Sequence, residues 1–410
     1  MANSQFLLFL LIFLFFTHQS LQQQHQQISA VDLAALQAIR SSMSDLPRSH
    51  FFSTWDFAAP NPCSTFAGLL CSSDASASVR ITSLTLGTGL AGSPGLIGSL
   101  TPTLSNLTAL TELVLNPGIV SGSIPPQLGT LKNLRVISLT NNHLSGSIPF
   151  SLSTLPNLHT LDLSGNQLSG SIPPSLTQLP SLKVLILSSN RLSGNLPNVP
   201  TQLLHLDLKD NCLLGWLPSL PLSLRYLSLS ENEMYGPLNV LVPLSELVYI
   251  DLSMNQFSGS IPESLFRPTL SSLLLQRNNL SGGVPTTGDS TSYGAGSIVD
   301  LSHNLLSGKL SSVLSRVESL FLNNNRLIGI VPDEYVRSVS LGSMKTLYLQ
   351  HNFLSGIPLE PGSPLPDSAS LCLLYNCMVP PVGTITCPAS AGGLLSRPAY
   401  QCRVIYDGVF

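Results

Sequence analysis

Charge is scarce in this sequence. Lys and Arg number 18 and Asp and Glu 21 among 410 residues, a charged fraction of 10% with a formal net charge of -3. No basic run is present to follow a phosphate backbone, which argues against a nucleic-acid partner. Aromatic residues are also few, at 6%, so any that line up on one surface carry weight. Beyond the N-terminus no uninterrupted apolar stretch approaches the roughly 18 residues needed to cross a bilayer. The motifs HExxH, GxSxG, GxxxxGK[ST] and CxxC are absent, and the eight His residues lie in unrelated contexts. The chain therefore reads as a non-enzyme with no cofactor and no metal site.

What the sequence has in quantity is Leu at a fixed spacing. The stretch LHTLDLSGN, Leu158 to Asn166, continues as QLSGSIP to Pro173, reduces to LxxLxLxxNxLxGxIP, and returns down most of the chain. Its Asn position is filled by Asn142, Asn166, Asn190, Asn211, Asn232, Asn255, Asn278, Asn304, Asn325 and Asn352, after two copies with Gly89 and Gly118 there. The intervals run from 21 to 29 residues, which predicts a solenoid of about twelve repeats. Alternation of period two sends Leu161 and Leu163 inward and Thr160, Asp162 and Ser164 outward on a short strand. One such strand cannot bury its Leu face alone, so the strands stack in parallel and the leucines merge into one core. The Asn is expected to turn inward and bond to backbone groups that the bend leaves unpaired. Gly170 permits the next tight bend and Pro173 fixes the backbone after it.

The LSGSIP continuation resembles the plant-type extracellular leucine-rich repeat of receptor kinase ectodomains, receptor-like proteins and polygalacturonase-inhibiting proteins. The resemblance covers roughly residues 81–358. It implies an α/β solenoid, a right-handed superhelix with a parallel β-sheet on its concave face and disulfide-stapled caps. WDFAAPNPCSTFAGLLC, Trp55 to Cys71, resembles the N-terminal cap of such ectodomains and implies a Cys63–Cys71 disulfide. The expected division is a signal peptide at 1–20, an N-terminal cap at 21–80, repeats at 81–358 and a Cys-containing C-terminal cap at 359–410. In the first cap, Ser29 and Asp32 read as a capping box, and Ala35, Leu36, Ile39 and Met43 form one apolar helix face.

Phe6 to Phe16 is an unbroken run of 11 apolar residues, the length of a signal-peptide core and too short for a membrane helix. It predicts secretion to the apoplast or cell wall with cleavage after Ser20, or alternatively an uncleaved anchor. The ending RVIYDGVF reads as neither a membrane helix nor a lipid-anchor signal. In the tail, Cys372, Cys377, Cys387 and Cys402 allow three connectivities. The most local one joins Cys372 to Cys377 and Cys387 to Cys402, and the sequence does not choose. Cys212 is left over, as a partly shielded thiol or as half of an intermolecular bridge. Two stretches interrupt the repeats, GSPGLIG at 92–98 and TTGDSTSYGAGS at 286–297, the second read as a loop on the rim.

Two aromatic groups fall at equivalent outward positions on successive strands: His205, Tyr226 and Tyr249 in one column, Phe321 and Tyr348 in another. Rigid rings dominate binding hot spots, so these five are the candidate contact residues. Asp162, Asp207, Asp251 and Asp300 share an outward column, but a strand without a carboxylate separates each from the next, which spaces them about 10 Å apart and argues against paired-carboxylate chemistry. Asn106 and Asn279 head glycosylation sequons.

The reading is a secreted protein that recognises a peptide or protein partner on its concave surface in cell-surface signalling, with a membrane receptor ectodomain among the candidate partners. The first alternative is inhibition of a secreted wall-degrading hydrolase, although this cap has fewer cysteines than such inhibitors carry. The second is a structural component of the cell wall.

Overall fold

Each Leu-x-Leu segment of the repeat lies on a strand. The structure, a computed structural model, describes residues 28–59, 61–73, 78–89, 95–284, 293–360, 364–381 and 386–406. The apolar run at 6–16, residues 92–94 of the first irregular stretch and residues 286–292 of the second lie outside the described residues. Fourteen strands form one long sheet whose order follows the chain. Leu69–Ser73 pairs antiparallel with Val79–Leu86, and every later pairing is parallel, ending at Ser370–Cys372. Register is uniform: Leu161 sits between Ile137 and Leu185, and Leu206 between Leu185 and Leu227. Because each Leu lies beside its equivalent, the rows fuse into one core in which Leu158, Leu161, Leu163 and Leu168 are fully buried.

The repeat carries a second strand that period-two reasoning on Leu-x-Leu does not reveal. The segment after the Asn, such as Gln167–Gly170, pairs with His143–Gly146 before it and Arg191–Asn195 after it. Nine of these second strands, with the cap strand Met43–Asp45 added antiparallel at one edge, make a row of ten, and three more make a separate row. Gly170 leaves the row with a left-handed φ of 78°, the bend that its lack of a side chain permits. Between the second strand and the next repeat the chain mostly makes short 3-10 turns, such as Pro126–Thr130 and Phe150–Thr154, while Asp333–Ser340 is a full α-helix.

The ladder Asn residues turn inward as expected. Asn190 donates through Nδ2 to Leu163 O (3.0 Å) and Leu187 O (3.1 Å), while its Oδ1 accepts from Leu168 N (3.0 Å). Asn211 then donates to the same Leu187 O at 3.0 Å. Each of these leucine carbonyls is thus shared by the Asn of its own repeat and the Asn of the next. Bond by bond, one repeat is tied to its neighbour inside the core.

That chain of bonds runs one repeat further than the repeat signature. Asn376 accepts from Leu354 N (3.0 Å) and donates to Leu349 O and Leu373 O (3.0 Å each). Ser370–Cys372 is its strand, paired with Thr346–Tyr348. The repeat pattern therefore does not stop at Pro358. The signal Leu371-x-Leu373-x-x-Asn376 is present in the sequence, but Pro380 stands where the ladder Asn residues from Asn142 to Asn352 are each followed, four residues on, by Gly.

The C-terminal cap corrects the most local cysteine pairing. Cys372 is bonded to Cys387, and Cys377 to Cys402. Cys372 ends a sheet strand and Cys377 follows the ladder Asn376, so each cysteine of this last repeat is tied to the segment folded over it. Arg397 completes the closure, with its guanidinium 4.0 Å from the Phe353 ring and 4.5 Å from that of Tyr375, and Nε donating to Asn352 O. Cys212 is free and exposed on Cys212–Gly215 rather than partly shielded.

The N-terminal cap has the expected Cys63–Cys71 disulfide. Its helix, Ala30–Ser42, buries Ala35, Leu36 and Ile39 together with the following Met43. Trp55 stacks on Phe66 with centroids 5.2 Å apart and donates Nε1–H to Ala67 O at 3.0 Å. The capping box does not form. Ser29 makes no side-chain bond to the helix, and Asp32 is instead fully buried, accepting from Arg80 Nη2 (3.0 Å) and Ile81 N (2.9 Å). A carboxylate buried this deeply persists because an ion pair and a backbone amide replace its water.

Candidate functional site

The outward face of the long sheet is one column wider than alternation predicts. In the run of repeats from Arg135 to Ser272, and again at Lys345 and Thr346, the two residues at the start of the strand both donate to a single carbonyl of the preceding repeat. Leu204 N and His205 N bond to Lys183 O at 2.9 and 3.1 Å, and Arg225 N and Tyr226 N bond to Leu204 O at 3.0 and 3.1 Å. This bulge-like sharing keeps the extra residue on the outer surface, as bulges re-aim side chains elsewhere. Leu204, Arg225 and Val248 are consequently exposed beside His205, Tyr226 and Tyr249. The same column carries Arg135, His159 and Lys183 on earlier strands. Sequence reasoning missed these residues because strict period two turns them inward.

The structure brings the first aromatic group together. His205, Tyr226 and Tyr249 are direct neighbours in register. The His205 and Tyr226 rings are 4.0 Å apart and the Tyr226 and Tyr249 rings 4.4 Å apart, each pair tilted by only 3°. Carbon atoms in contact need about 3.5 to 4.0 Å, so these rings face one another with little slip. Each inner face is covered by its neighbour. What the ladder offers outward is therefore its edges: two phenol groups and one imidazole edge in a row.

Burial sets the charge state of the ladder. Desolvation lifts the Tyr226 and Tyr249 phenols above their ordinary value, helped for Tyr226 by its neighbour Tyr249 and for Tyr249 by Asp251. Desolvation lowers His205 below the ordinary histidine value, with Asp207 and Asp162 pulling weakly the other way. All three rings are neutral at pH 7. The depressed imidazole has a consequence for stability. Because the unfolded chain takes up this proton first, the stability that a neutral His205 contributes is fully present above about pH 6.5. It is lost as the pH falls below that value toward the folded-state pKa. His205→Gln should flatten this part of the stability profile, measured by urea unfolding between pH 5 and 7. An unchanged slope would contradict it.

The second aromatic group is placed differently. Phe321 and Tyr348 are register neighbours that meet edge to face, 5.3 Å apart at 85°. Tyr348 also packs against the group of Cys372, Leu374 and Ala391, and its hydroxyl lies 3.2 Å from Ser370 Oγ. This pair lies at the base of the C-terminal cap and does not join the first ladder. Tyr249 is followed in its own column by Ser272, Ile298 and Ser319.

The Asp column is occupied with local turns. Asp162, Asp207, Asp251 and Asp300 each accept through Oδ1 from the backbone N–H two residues on, at 2.9 to 3.1 Å. Register places Ile186, Ser228 and Leu274 between them. Burial holds the Asp300 carboxyl above its ordinary value, with Ser302 drawing it back down. The two sequon residues, Asn106 and Asn279, are exposed. Among the described residues no helix is long and apolar enough to cross a membrane.

Comparison with known proteins agrees with this architecture. The chain matches the Leucine rich repeat family over residues 132–192 and 246–267, and the Leucine rich repeat N-terminal domain over residues 29–72. It is 36% identical over 118 residues to Receptor-like protein 35 of Arabidopsis thaliana, covering 28% of this chain and 12% of that protein. The chain thus spans only about an eighth of this relative's length. Its fold is similar to the Arabidopsis receptor kinase HAESA, solved in complex with the peptide hormone IDA and the co-receptor SERK1. That likeness has a TM-score of 0.66 at 30% identity and covers 85% of this chain and 58% of the other. A plant ice-binding protein is similar with a TM-score of 0.55 at 27% identity, covering 82% of this chain and 98% of that one.

Proposed function

We propose that this chain, which folds as a leucine-rich repeat solenoid and matches the leucine rich repeat N-terminal domain over residues 29–72, binds a peptide or protein partner outside the cell. The contact surface is the outward face of the long sheet, on its concave side, centred on His205, Tyr226 and Tyr249. The observation that carries this reading is the ring ladder itself. In a chain with 6% aromatic residues, three successive strands place rings at one outward position and stack them there. The core gains nothing from rings on this face, whereas a partner gains a rigid ridge with hydrogen-bonding edges, flanked by Leu204, Arg225 and Val248. Likeness to a receptor solved with a peptide hormone supports the class of partner. The apolar run at 6–16 supports delivery to the extracellular space, where the three cysteine pairs are stable. The role is recognition, with no chemistry performed on the partner.

Hydrogen-exchange footprinting of the chain with a partner recovered from extracellular fluid tests this. Protection should concentrate on residues 204–207, 225–228 and 248–251. A footprint confined to the second strand row would reject the assignment.

A further inference from the structure

The ring ladder stops at Tyr249, and the surface beyond it has a definite shape. Ser272 is its next neighbour in register and Ile298 the one after. Among the described residues Tyr249 has a ring contact on the Tyr226 side alone, so its other face looks out over a serine. Two strand spacings separate Tyr249 from Ile298, roughly 9.6 Å. A flat ring laid on Tyr249 at the ladder's own spacing of 4.4 Å would leave roughly 5 Å to the Ile298 position, enough for contact with an aliphatic branch. The flanks are apolar as well: Val248 and Ile298 are each 37% exposed, and Leu274, beside Ser272 on the same strand, is half-buried. Ser271 Oγ already donates to Val248 O at 3.0 Å.

We propose that this slot over Ser272 is a subsite for one aromatic side chain of an extended peptide ligand, received as a fourth ring of the ladder. The proposal rests on the reading of this face as the binding surface and names the chemical group it selects. An aromatic ring fits where others do not. A sugar could also stack on Tyr249, but beyond the single Ser272 hydroxyl on the floor its hydroxyl groups would lie against Val248, Leu274 and Ile298, which offer them no partners. An aliphatic side chain would fill the space and forgo the stacking. Ser272 is then the specificity-determining residue, because its small side chain keeps the slot open.

The test uses the full chain with isotope-labelled isoleucine methyl groups. Titration with N-acetyl-tyrosinamide or N-acetyl-phenylalaninamide should move the Ile298 methyl signal upfield by ring current and saturate, while N-acetyl-leucinamide should not. Ser272→Phe supplies the fourth ring from the chain itself. It should keep the melting transition, abolish the response to both aromatic probes, and weaken an aromatic-bearing peptide partner by about tenfold or more. Ser272→Ala should leave probe binding intact. An Ile298 signal that ignores the aromatic probes, or answers leucinamide equally, overturns the proposal even should Ser272→Phe fail to fold. If partner binding needs Tyr226 and Tyr249 yet tolerates Ser272→Phe, the slot is refuted and the binding face stands. If the probes fill the slot while the partner footprint lies on the second row, the slot stands and the functional reading falls.

Discussion

Replacing Asn232 with leucine should destabilise the protein by about 3 to 5 kcal/mol, the range expected when several buried polar groups lose their partners together. Asn232 Nδ2 donates to Leu208 O at 3.0 Å, Leu229 O at 3.1 Å and Ser230 O at 3.2 Å, and Oδ1 accepts from Leu213 N at 2.9 Å. Leucine has nearly the same size and none of these bonds. The Leu213 amide suffers most, because it is buried on the second strand row and a leucine at 232 offers it no acceptor. Leu208 O keeps one bond, from Asn211 at 3.1 Å, so the loss falls on the junction between two repeats. Two measurements check this: a large drop in the thermal unfolding midpoint, and faster exchange of the Leu213 amide than of Leu192 or Met234, whose equivalent bonds to Asn211 and Asn255 remain. An unchanged midpoint would mean that the ladder contributes nothing to stability.

Changing Tyr226 and Tyr249 together to serine should separate folding from recognition. The two tyrosines lie outside the Leu core and are half-buried, so the fold loses chiefly the two stacked contacts. Each such contact is worth about 0.5 to 1.5 kcal/mol, which sets a stability cost of about 1 to 3 kcal/mol, smaller than that of Asn232→Leu. Partner binding should weaken by about 2 kcal/mol or more, roughly thirtyfold. Circular dichroism and calorimetric titration of the same two samples make the comparison. Should the variant fold and still bind its partner at full strength, the ladder is only a spine of the sheet. The column of Arg135, Lys183 and Arg225 would then be the next place to look.

Most of the fold was legible because it repeats. A residue type that recurs at one position must suit one environment, which is why Leu161 and Asn166 could be placed inside, and Thr160 and Asp162 outside, from spacing alone. The shared column of His205, Tyr226 and Tyr249 came from the same count. Where the repeat signature lapses, legibility lapses too. Asn376 fits the Leu-x-Leu-x-x-Asn frame but has Pro380 where the other ladder Asn residues are followed by Gly, and the cysteine pairing of the last cap depends on how a segment without periodicity folds back.

Periodicity along the chain thus determined the strand register, the core and the inward Asn residues, because burial and backbone satisfaction impose the same demand on every repeat. The tertiary structure alone decided the rest. Sharing of the Lys183 and Leu204 carbonyls by paired amides turned Leu204 and Arg225 to the surface, an arrangement that exists only once two repeats lie side by side. Side-chain torsions, which no spacing encodes, laid His205, Tyr226 and Tyr249 face to face, with Ser272 rather than another ring next in register to Tyr249.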